Sequence, residues 1–432
     1  MKIGVIKKSN LKLTVFLLTL YFVFSYRTHC YAAVRGKETT WTNWLGPTYD
    51  GQAVQTDLGI PSEGKDFKIL WSIDVGKGWA SPLVDPTSVY LHDRMNHLER
   101  LRKFDKDSAK PIWTFSYDSN YKDNFGMEDG PRSTPALSEE VLVSHGPQGM
   151  VHAVSISDGS LIWRVDLVKR FGSLKGFFGR CSSPLILGSK VIIGAGGENT
   201  GLVALNLKTG ETLWTSAPSH DDYASPVPLN FLSETKIISF MREGLFVLDS
   251  DDGKKAFFEP YRSPINASVH AATPLVFDRF VFLSACYDLG AALWQYDESE
   301  NGQFEMSLKW KKKNVLDCHY STPVFVDGYI YGFHGRQERG AELRCIEYST
   351  GEIAWSSPLI GSGNLIAVEE KLIALVETGE LIVFEANPRS FNTLHRQQIL
   401  GFDARAHFAF GNNRIYARDK RRLICLSLCD LE

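Results

Sequence analysis

Hydrophobic and polar positions in this chain alternate in short runs that are separated by tight turns. The clearest example is Ala204–Trp214, where a strand, a turn at Thr209-Gly210 and a second strand carrying Trp214 follow one another. Alternation with a period of two residues predicts half-buried strands, and glycine suits the turn because it tolerates a positive φ. The same hairpin, with an aromatic residue four positions after the glycine position, recurs in Lys103–Trp113, Ala153–Trp163, Val247–Phe257 and Cys345–Trp355.

A Ser-Pro or Thr-Pro step and two further short strands precede these hairpins. The steps lie 42 to 53 residues apart, at Ser81-Pro82, Thr134-Pro135, Ser183-Pro184, Ser225-Pro226, Thr273-Pro274 and Thr322-Pro323. Two further units, at 363–400 and 407–425, keep the strands but lose part of this signature. A period in the forties with four short strands per unit is typical of a β-propeller.

One strand, Lys68–Val75, has no hairpin of its own, whereas the last unit ends after three strands. An N-terminal strand that completes the last blade closes the ring and removes its free edges. We therefore predict an all-β protein, an eight-bladed β-propeller of four-stranded antiparallel blades that is closed in this way. Seven blades are the alternative if the unit at 363–400 forms another structure.

The N-terminus has the features of a targeting segment. Four lysines precede or adjoin the apolar stretch Leu13–Phe24, and Ala32-Ala33 offers a cleavage site. The stretch is shorter than the roughly 18 apolar residues that a membrane span requires. We predict a signal peptide at 1–33, an N-terminal arm at 34–66 that packs on the propeller through its tryptophans, and the propeller at 67–432. The protein is expected to be periplasmic or otherwise exported, with association to the cell envelope as an option and an uncleaved anchor as the alternative.

Charge and cysteine content narrow the function classes. A formal net charge of −3 does not provide the basic surface of a nucleic-acid-binding protein, so no nucleic-acid partner is expected. Membrane contact is expected only through an uncleaved signal segment. Cys345 and Cys425 occupy the strand position of Ala204 and are predicted to be buried thiols. The doublet His92-Asp93 falls in a predicted loop, and no metal site is predicted.

The residues just before each Ser/Thr-Pro step are predicted to meet at one mouth of the central channel. The third residue before each proline is Trp79, Arg132, Cys181, Tyr223, Ala271 or Tyr320, and one residue earlier lie Arg180, Asp222, His270 and His319. Arg405 belongs to the last unit. The candidate binding residues, which could hold an anionic or quinoid ligand through charge-assisted hydrogen bonds, are Arg132, Arg180, Tyr223, His270, His319 and Arg405. A solvated polar rim, with Asp222 and Asp317 among these residues, is the alternative.

The repeated unit at Ala204–Trp214 resembles the tryptophan-docking repeat of pyrroloquinoline-quinone-like propellers. That group includes the quinoprotein alcohol dehydrogenases and an outer-membrane assembly propeller lipoprotein, and the segment Trp44–Gly51 resembles the opening of exported planctomycete-type members. For the dehydrogenases, the resemblance implies a quinone, a calcium ion, an aspartate base and a disulfide between adjacent cysteines. This sequence has no adjacent cysteines, and its residues match neither the calcium ligands nor the base.

The leading hypothesis is an exported, non-catalytic binding or scaffold module in the cell envelope, whose partner is an envelope protein or a small ligand at the propeller mouth. No catalytic residue and no cofactor is firmly implied. The alternative is a dehydrogenase that uses pyrroloquinoline quinone with calcium to oxidise an alcohol or sugar. A third hypothesis is a carbohydrate-binding propeller, in which Trp79 and Tyr223 stack on sugar rings.

Overall fold

A computed structural model of the protein describes residues 40–53, 58–197, 200–216, 219–220 and 222–428. The predicted signal peptide at 1–33 lies outside these residues, as do parts of the predicted arm. The described residues form eight antiparallel four-stranded blades of a β-propeller, which confirms the predicted fold class. Their helical structure comprises α1 (Leu167–Phe171) and a 3-10 helix at Gln337–Arg339.

The blades follow one another in chain order, and the first strand of each blade lies innermost, next to the first strand of its neighbour. Two strands precede the first complete blade, β1 (Gln52–Ala53) and β2 (Ile69–Asp74). Blade 1 contains β3 (Leu83–Val84), β4 (Ser88–Met95), β5 (Leu98–Asp105) and β6 (Pro111–Asp118). Blade 2 contains β7 (Ala136–Leu137), β8 (Val141–His145), β9 (Met150–Ser155) and β10 (Leu161–Asp166). Blade 3 contains β11 (Leu185–Leu187), β12 (Lys190–Gly197), β13 (Thr200–Asn206) and β14 (Thr212–Thr215). Blade 4 contains β15 (Val227–Phe231), β16 (Glu234–Met241), β17 (Gly244–Asp249) and β18 (Lys255–Pro260).

The second half of the ring repeats this order. Blade 5 contains β19 (Leu275–Phe277), β20 (Phe280–Ala285), β21 (Gly290–Glu298) and β22 (Phe304–Lys312). Blade 6 contains β23 (Val324–Val326), β24 (Tyr329–His334), β25 (Glu342–Glu347) and β26 (Ile353–Leu359). Blade 7 contains β27 (Gly363–Val368), β28 (Lys371–Val376), β29 (Glu380–Glu385) and β30 (Thr393–Gln398). Blade 8 contains β31 (Ala409–Gly411), β32 (Arg414–Arg418) and β33 (Arg422–Ser427), to which β2 is added.

Strand β2 pairs antiparallel with β33, and Trp71 lies opposite Cys425. The N-terminal strand therefore completes blade 8, as the sequence predicted. The unit at 363–400 is a true blade, which excludes the seven-bladed alternative. This blade also carries a fifth strand, because β1 pairs parallel with β27 at its inner edge.

Burial along the strands follows from their place in a blade. The middle strands are covered on both faces by neighbouring blades, so that β28 is buried at every residue after Lys371. The outermost strands are covered less, and in β10 only Trp163 and Val165 are fully buried. The same packing buries the Cys345 and Cys425 thiols, and burial raises the pKa of each to about 12.

The aromatic residue of one blade bonds to the turn of the next blade. Trp163 in blade 2 donates its indole N–H to the carbonyl oxygen of Leu207 in blade 3 at 2.8 Å. Gly210 in that turn lies so close that a Cβ atom there would be 2.7 Å from the indole of Trp163. Equivalent hydrogen bonds of 2.8 to 3.1 Å are made by Trp71, Trp113, Trp214, Trp310 and Trp355.

Hydroxyl groups of the Ser/Thr-Pro steps link the innermost strands to one another. The backbone N–H of Ser81 donates to Thr134 Oγ1 at 3.0 Å, and the N–H of Thr134 donates to Ser183 Oγ at 3.0 Å. The series continues at 2.9 to 3.3 Å through Ser225, Thr273 and Thr322. Because buried N–H groups need an acceptor, the hydroxyl of serine or threonine at this position accepts the hydrogen bond from the backbone N–H at the start of the preceding blade.

The N-terminal segment 40–53 runs inside the ring. The backbone of Trp41 pairs with Val84 of blade 1 through hydrogen bonds of 2.8 and 2.9 Å, and its side chain is only 1% exposed. The side chain of Gln52 donates to the carbonyl oxygen of Phe325 in blade 6 at 2.5 Å, while β1 lies along blade 7. A segment that contacts the innermost strands of both blade 1 and blade 6 occupies the central channel.

Candidate functional site

A cavity of about 190 Å³ lies at the mouth of the channel, the end at which the innermost strands begin. All six residues located three positions before the Ser/Thr-Pro prolines line it. This register therefore points side chains into the mouth. The lining includes Trp44, Trp79, Met127, Arg132, Phe178, Cys181, Tyr223, Ala271, Tyr287, His319, Tyr320, Arg336, Gln337, Glu338, Asn364, Arg405 and His407.

Trp44, from the N-terminal segment, forms part of the cavity wall. Its indole N–H donates to Thr273 Oγ1 in blade 5 at 2.9 Å, and its ring lies edge-on to His407 at 5.6 Å. His407 is buried, and its two ring nitrogens lie 2.8 and 3.2 Å from the carbonyl oxygens of Phe408 and Leu365. Burial lowers the pKa of His407 to about 4, so this imidazole is neutral near pH 7.

Two arginines of the mouth stack on the same tryptophan. The guanidinium carbon atoms of Arg132 and Arg405 lie 4.7 and 4.9 Å from the ring centroid of Trp79. The indole N–H of Trp79 donates to Asp403 Oδ2 at 3.3 Å. These cation–π contacts occupy the ring on which the carbohydrate-binding hypothesis places a sugar.

Both guanidinium groups also have acidic neighbours. Arg132 donates to the carbonyl oxygen of Phe178 at 2.7 Å and lies 3.5 Å from the carboxylate of Asp123. Arg405 Nε lies 3.2 Å from Glu377 Oε2 and 3.0 Å from Asp403 Oδ1. Their positive charges are therefore compensated by carboxylates of the protein itself.

The opposite side of the mouth comes from blades 5 and 6. His319 Nε2 lies 2.8 Å from the hydroxyl of Tyr287, and His319 Nδ1 is hydrogen-bonded to Gln337. Burial lowers the pKa of His319. Arg336 stacks over Tyr287 at 4.7 Å and pairs with Glu338 at 3.0 Å.

Four of the six predicted binding residues line the cavity, namely Arg132, Tyr223, His319 and Arg405. The hydroxyl of Tyr223 accepts a hydrogen bond from the backbone N–H of Phe178 at 2.9 Å. Their proposed role in binding a cofactor stays a prediction.

Arg180 and His270 are buried and are not among the residues that line the cavity. Arg180 donates to Ser173 Oγ and to its carbonyl oxygen, both at 2.8 Å. His270 stacks on Phe240 with 4.1 Å between ring centroids, and its Nδ1 lies 3.0 Å from the carbonyl oxygen of Met241. These two residues therefore do not line this cavity, and a binding role for either of them stays a prediction.

Two acidic residues that were predicted at the rim are also buried. Asp222 lies 3.6 Å from both Arg242 Nη1 and His270 Nδ1, and Asp317 accepts from the backbone N–H of Asn314 at 3.1 Å. Neither residue lines the cavity.

The expected loop at His92-Asp93 is part of strand β4, and both side chains are fully buried. Asp93 accepts hydrogen bonds from Arg100 at 2.8 and 2.6 Å, which explains its lowered pKa in spite of burial. Within the described part of the chain, no three His, Cys, Asp or Glu side chains form a group suited to a metal ion.

Several lining residues were missed because they lie outside the repeat. Met127 and Phe178 come from the long connections between blades 1 and 2 and between blades 2 and 3. Arg336, Gln337 and Glu338 come from the irregular connection that includes the 3-10 helix of blade 6. In the sequence, the extra length of these connections is the one feature that could have pointed to these residues.

The fit of pyrroloquinoline quinone, a planar tricarboxylate, can be tested on these contacts. Arg132, Arg336 and Arg405 each lie within 3.5 Å of a carboxylate of the protein, and Trp79 is already stacked. The described lining therefore contains no arginine without a carboxylate neighbour, and these residues do not fit a ligand with three carboxylates.

No helix in the described residues is long and apolar enough to cross a membrane. Eight four-stranded blades, closed by an N-terminal strand and tied together by indole hydrogen bonds, define a β-propeller of the pyrroloquinoline-quinone-like class. The sequence profile of the family described as outer membrane protein assembly factor BamB matches residues 97–357. The chain belongs to this family.

Individual relatives are distant. The chain is 22% identical over 286 residues to the outer membrane protein assembly factor BamB of Yersinia pestis, covering 64% of this chain and 67% of the relative. The BamB of Burkholderia pseudomallei (strain K96243) is 24% identical over 291 residues, covering 58% of this chain and 74% of the relative.

Solved structures support the fold alone. BamB from Moraxella catarrhalis superposes with a TM-score of 0.59 at 14% identity, covering 85% of this chain and 99% of that protein. Quinohemoprotein alcohol dehydrogenase from Comamonas testosteroni gives a TM-score of 0.63 at 13% identity, covering 90% of this chain and 80% of the enzyme. Similar TM-scores to an assembly factor and to an enzyme mean that function depends on the site.

Proposed function

We propose that this protein is an exported, non-catalytic scaffold of the cell envelope that binds an envelope protein through its mouth face. The main observation in support of this proposal is that segment 40–53 fills the central channel. In addition, carboxylates of the protein itself compensate the charges of Arg132 and Arg405 at the mouth. Membership of the BamB family supports a role in outer-membrane protein assembly.

Export rests on the N-terminal sequence. The basic and apolar residues of 1–33 support secretion to the periplasm with removal of the segment. Mass spectrometry of the protein from the envelope fraction should give a mature N-terminus near residue 34. Recovery from the cytoplasmic fraction alone, with the first residues intact, would contradict export.

The assembly role is tested in the native host. Deletion of the gene should lower the content of β-barrel proteins in the outer membrane, and the full-length chain supplied in trans should restore it. A chain without residues 1–33 is the matched control and should fail to restore it. An unchanged outer-membrane protein content after deletion would refute the assembly role.

The quinone-dependent dehydrogenase remains the competing function, because the mouth cavity carries Arg132, Arg405 and several aromatic side chains. The compensated charges of these arginines and the occupied ring of Trp79 count against it. The carbohydrate-binding hypothesis meets the same obstacle at Trp79, since sugars bind to free aromatic faces.

A further inference from the structure

Three large apolar side chains stand exposed beside the mouth. Phe125, Leu174 and Phe177, here called the aromatic ridge, are 59%, 52% and 44% exposed. The ring of Phe125 lies 6.3 Å from that of Phe177 and 5.1 Å from that of Phe178, so these three rings form one contiguous patch. Contiguous exposed apolar surface of this kind marks an interaction site more often than isolated apolar residues do.

The ridge is held in place by hydrogen bonds from beneath. The buried carboxylate of Asp123 accepts from the backbone N–H groups of Phe125, Met127 and Glu128 at 3.3, 2.7 and 3.2 Å. The backbone of Phe178 is held by Arg132 and Tyr223. A patch that is ordered before binding loses little conformational entropy when a partner docks.

Exposed charges next to the ridge are positive. Lys122 and Lys175 are exposed, and neither forms an ion pair with a described residue. Lys175 donates to Asn124 Oδ1 at 3.3 Å, which places its ammonium group beside Phe125. The nearby acids are buried or engaged, since Asp129 pairs with Lys77 at 3.1 Å. A partner that matches this surface carries negative charge.

The ridge continues into the mouth cavity. Phe178 contacts Phe125 on the ridge side and, together with Met127 and Tyr223, lines the cavity. A flat lipid surface can cover the ridge but cannot fill the cavity behind it, whereas a single apolar side chain of a bound segment can. Interfaces of this type depend on a few aromatic or aliphatic anchors in pockets.

We propose that the aromatic ridge and the mouth cavity together bind an acidic peptide segment of the envelope partner, with one large apolar side chain inserted beside Phe178 and carboxylates facing Lys122 and Lys175. This inference rests on the proposed scaffold function and names the chemistry of the partner.

The test uses fluorescence anisotropy of the purified protein with short labelled synthetic peptides. An acidic peptide with a central phenylalanine should bind, and the same peptide with lysines in place of its acids should bind at least about tenfold more weakly. Replacing the central phenylalanine by serine should also weaken binding about tenfold or more. Binding of the acidic peptide should decrease as salt is raised.

Variants of the protein locate the site. Phe125→Ser combined with Phe177→Ser should weaken binding of the acidic peptide about tenfold or more, and Lys122→Glu combined with Lys175→Glu should do the same. Ile112→Ser is the matched control, because Ile112 is 50% exposed at the start of an outermost strand away from the mouth, and it should leave binding unchanged. Thermal unfolding of all variants should match the parent, because the changed side chains are exposed.

Equal binding of acidic and basic peptides, or full binding by the Phe125/Phe177 variant, would overturn the proposal. So would binding of the ridge to phosphatidylglycerol vesicles without peptide binding, or a ridge-dependent dimer in light scattering. These outcomes leave the gene-deletion experiment unaffected, so failure of this inference and failure of the scaffold function are distinguishable.

Discussion

The contact between Trp163 and Gly210 provides the sharpest test of how the blades are held together. Gly210 has φ +71°, and a Cβ atom there would lie 2.7 Å from the indole of Trp163. Gly188 has a similar φ of +56°, and a Cβ atom at that position would have no heavy atom within 4 Å. Gly210→Ala and Gly188→Ala therefore share the backbone cost, and only Gly210→Ala adds a collision with the neighbouring blade.

The expected free energies of unfolding follow from these two contributions. An L-residue in the left-handed region costs about 1–2 kcal/mol, which applies to both variants. Overpacking adds about 1–3 kcal/mol, which applies to Gly210→Ala alone. We expect a total loss of about 2–5 kcal/mol for Gly210→Ala and about 1–2 kcal/mol for Gly188→Ala.

A second substitution isolates the contact. Trp163→Ala removes the indole atoms that would collide, and on its own it leaves a cavity and the Leu207 carbonyl without its indole donor, at a cost of about 3–5 kcal/mol. In that background Gly210→Ala should cost no more than Gly188→Ala, so the coupling between positions 163 and 210 should be about 1–3 kcal/mol.

Urea unfolding followed by far-ultraviolet circular dichroism measures all of these variants. Equal destabilisation by the two glycine variants would refute the proposed contact. The same conclusion would follow if Gly210→Ala remained as costly in the Trp163→Ala background as in the parent.

Three further predictions concern the channel and the buried histidines. Thr134→Val should lower the free energy of unfolding by about 1–3 kcal/mol, because the buried N–H of Ser81 loses its acceptor, whereas the exposed Thr350→Val should change little in the same urea titration. Trp41→Ala should destabilise by about 3–5 kcal/mol, since its side chain fills the channel; a change below about 1 kcal/mol would contradict that role. Burial lowers the pKa of His145 to about 3 and of His407 to about 4, so the unfolded state, with a histidine pKa of about 6.5, takes up these protons first. The contribution of these histidines to the free energy of unfolding should therefore be fully present above about pH 6.5. Toward pH 4 the free energy of unfolding should fall by up to about 1.4 kcal/mol per pH unit for each histidine. His407→Phe should remove the contribution of one histidine to this pH dependence.

The fold could be predicted because its signals are local and repeated. Each hairpin carries its own turn glycine and aromatic residue, and the register is reproduced from blade to blade. Strand β2, which carries Trp71, could be assigned to the last blade because a blade of three strands leaves an open edge. Segment 40–53 has no repeat and no periodicity, and its place in the channel depends on contacts with several blades, including one between Gln52 and Phe325 of blade 6. That position could not be read from the sequence.

The candidate site could be predicted only as far as the repeat extends. Residues three positions before the prolines face the mouth, and Arg405 follows the same geometry in the last unit. One residue earlier the side chains take different positions, since Arg180 and His270 are buried outside the cavity lining whereas His319 belongs to it. Phe178 and Arg336 lie in irregular connections, where no periodicity specifies the direction of a side chain.

The measurement that tests the central claim most directly is a titration of the purified protein with pyrroloquinoline quinone and Ca²⁺, followed by quinone absorbance and by dye-linked oxidation of alcohols and sugars. A scaffold whose channel is filled by Trp41 and Trp44, and whose mouth arginines are already compensated, should show neither saturable quinone binding nor turnover. Stoichiometric binding with turnover, lost in Arg132→Ala, would contradict this account and identify the protein as a quinone-dependent dehydrogenase.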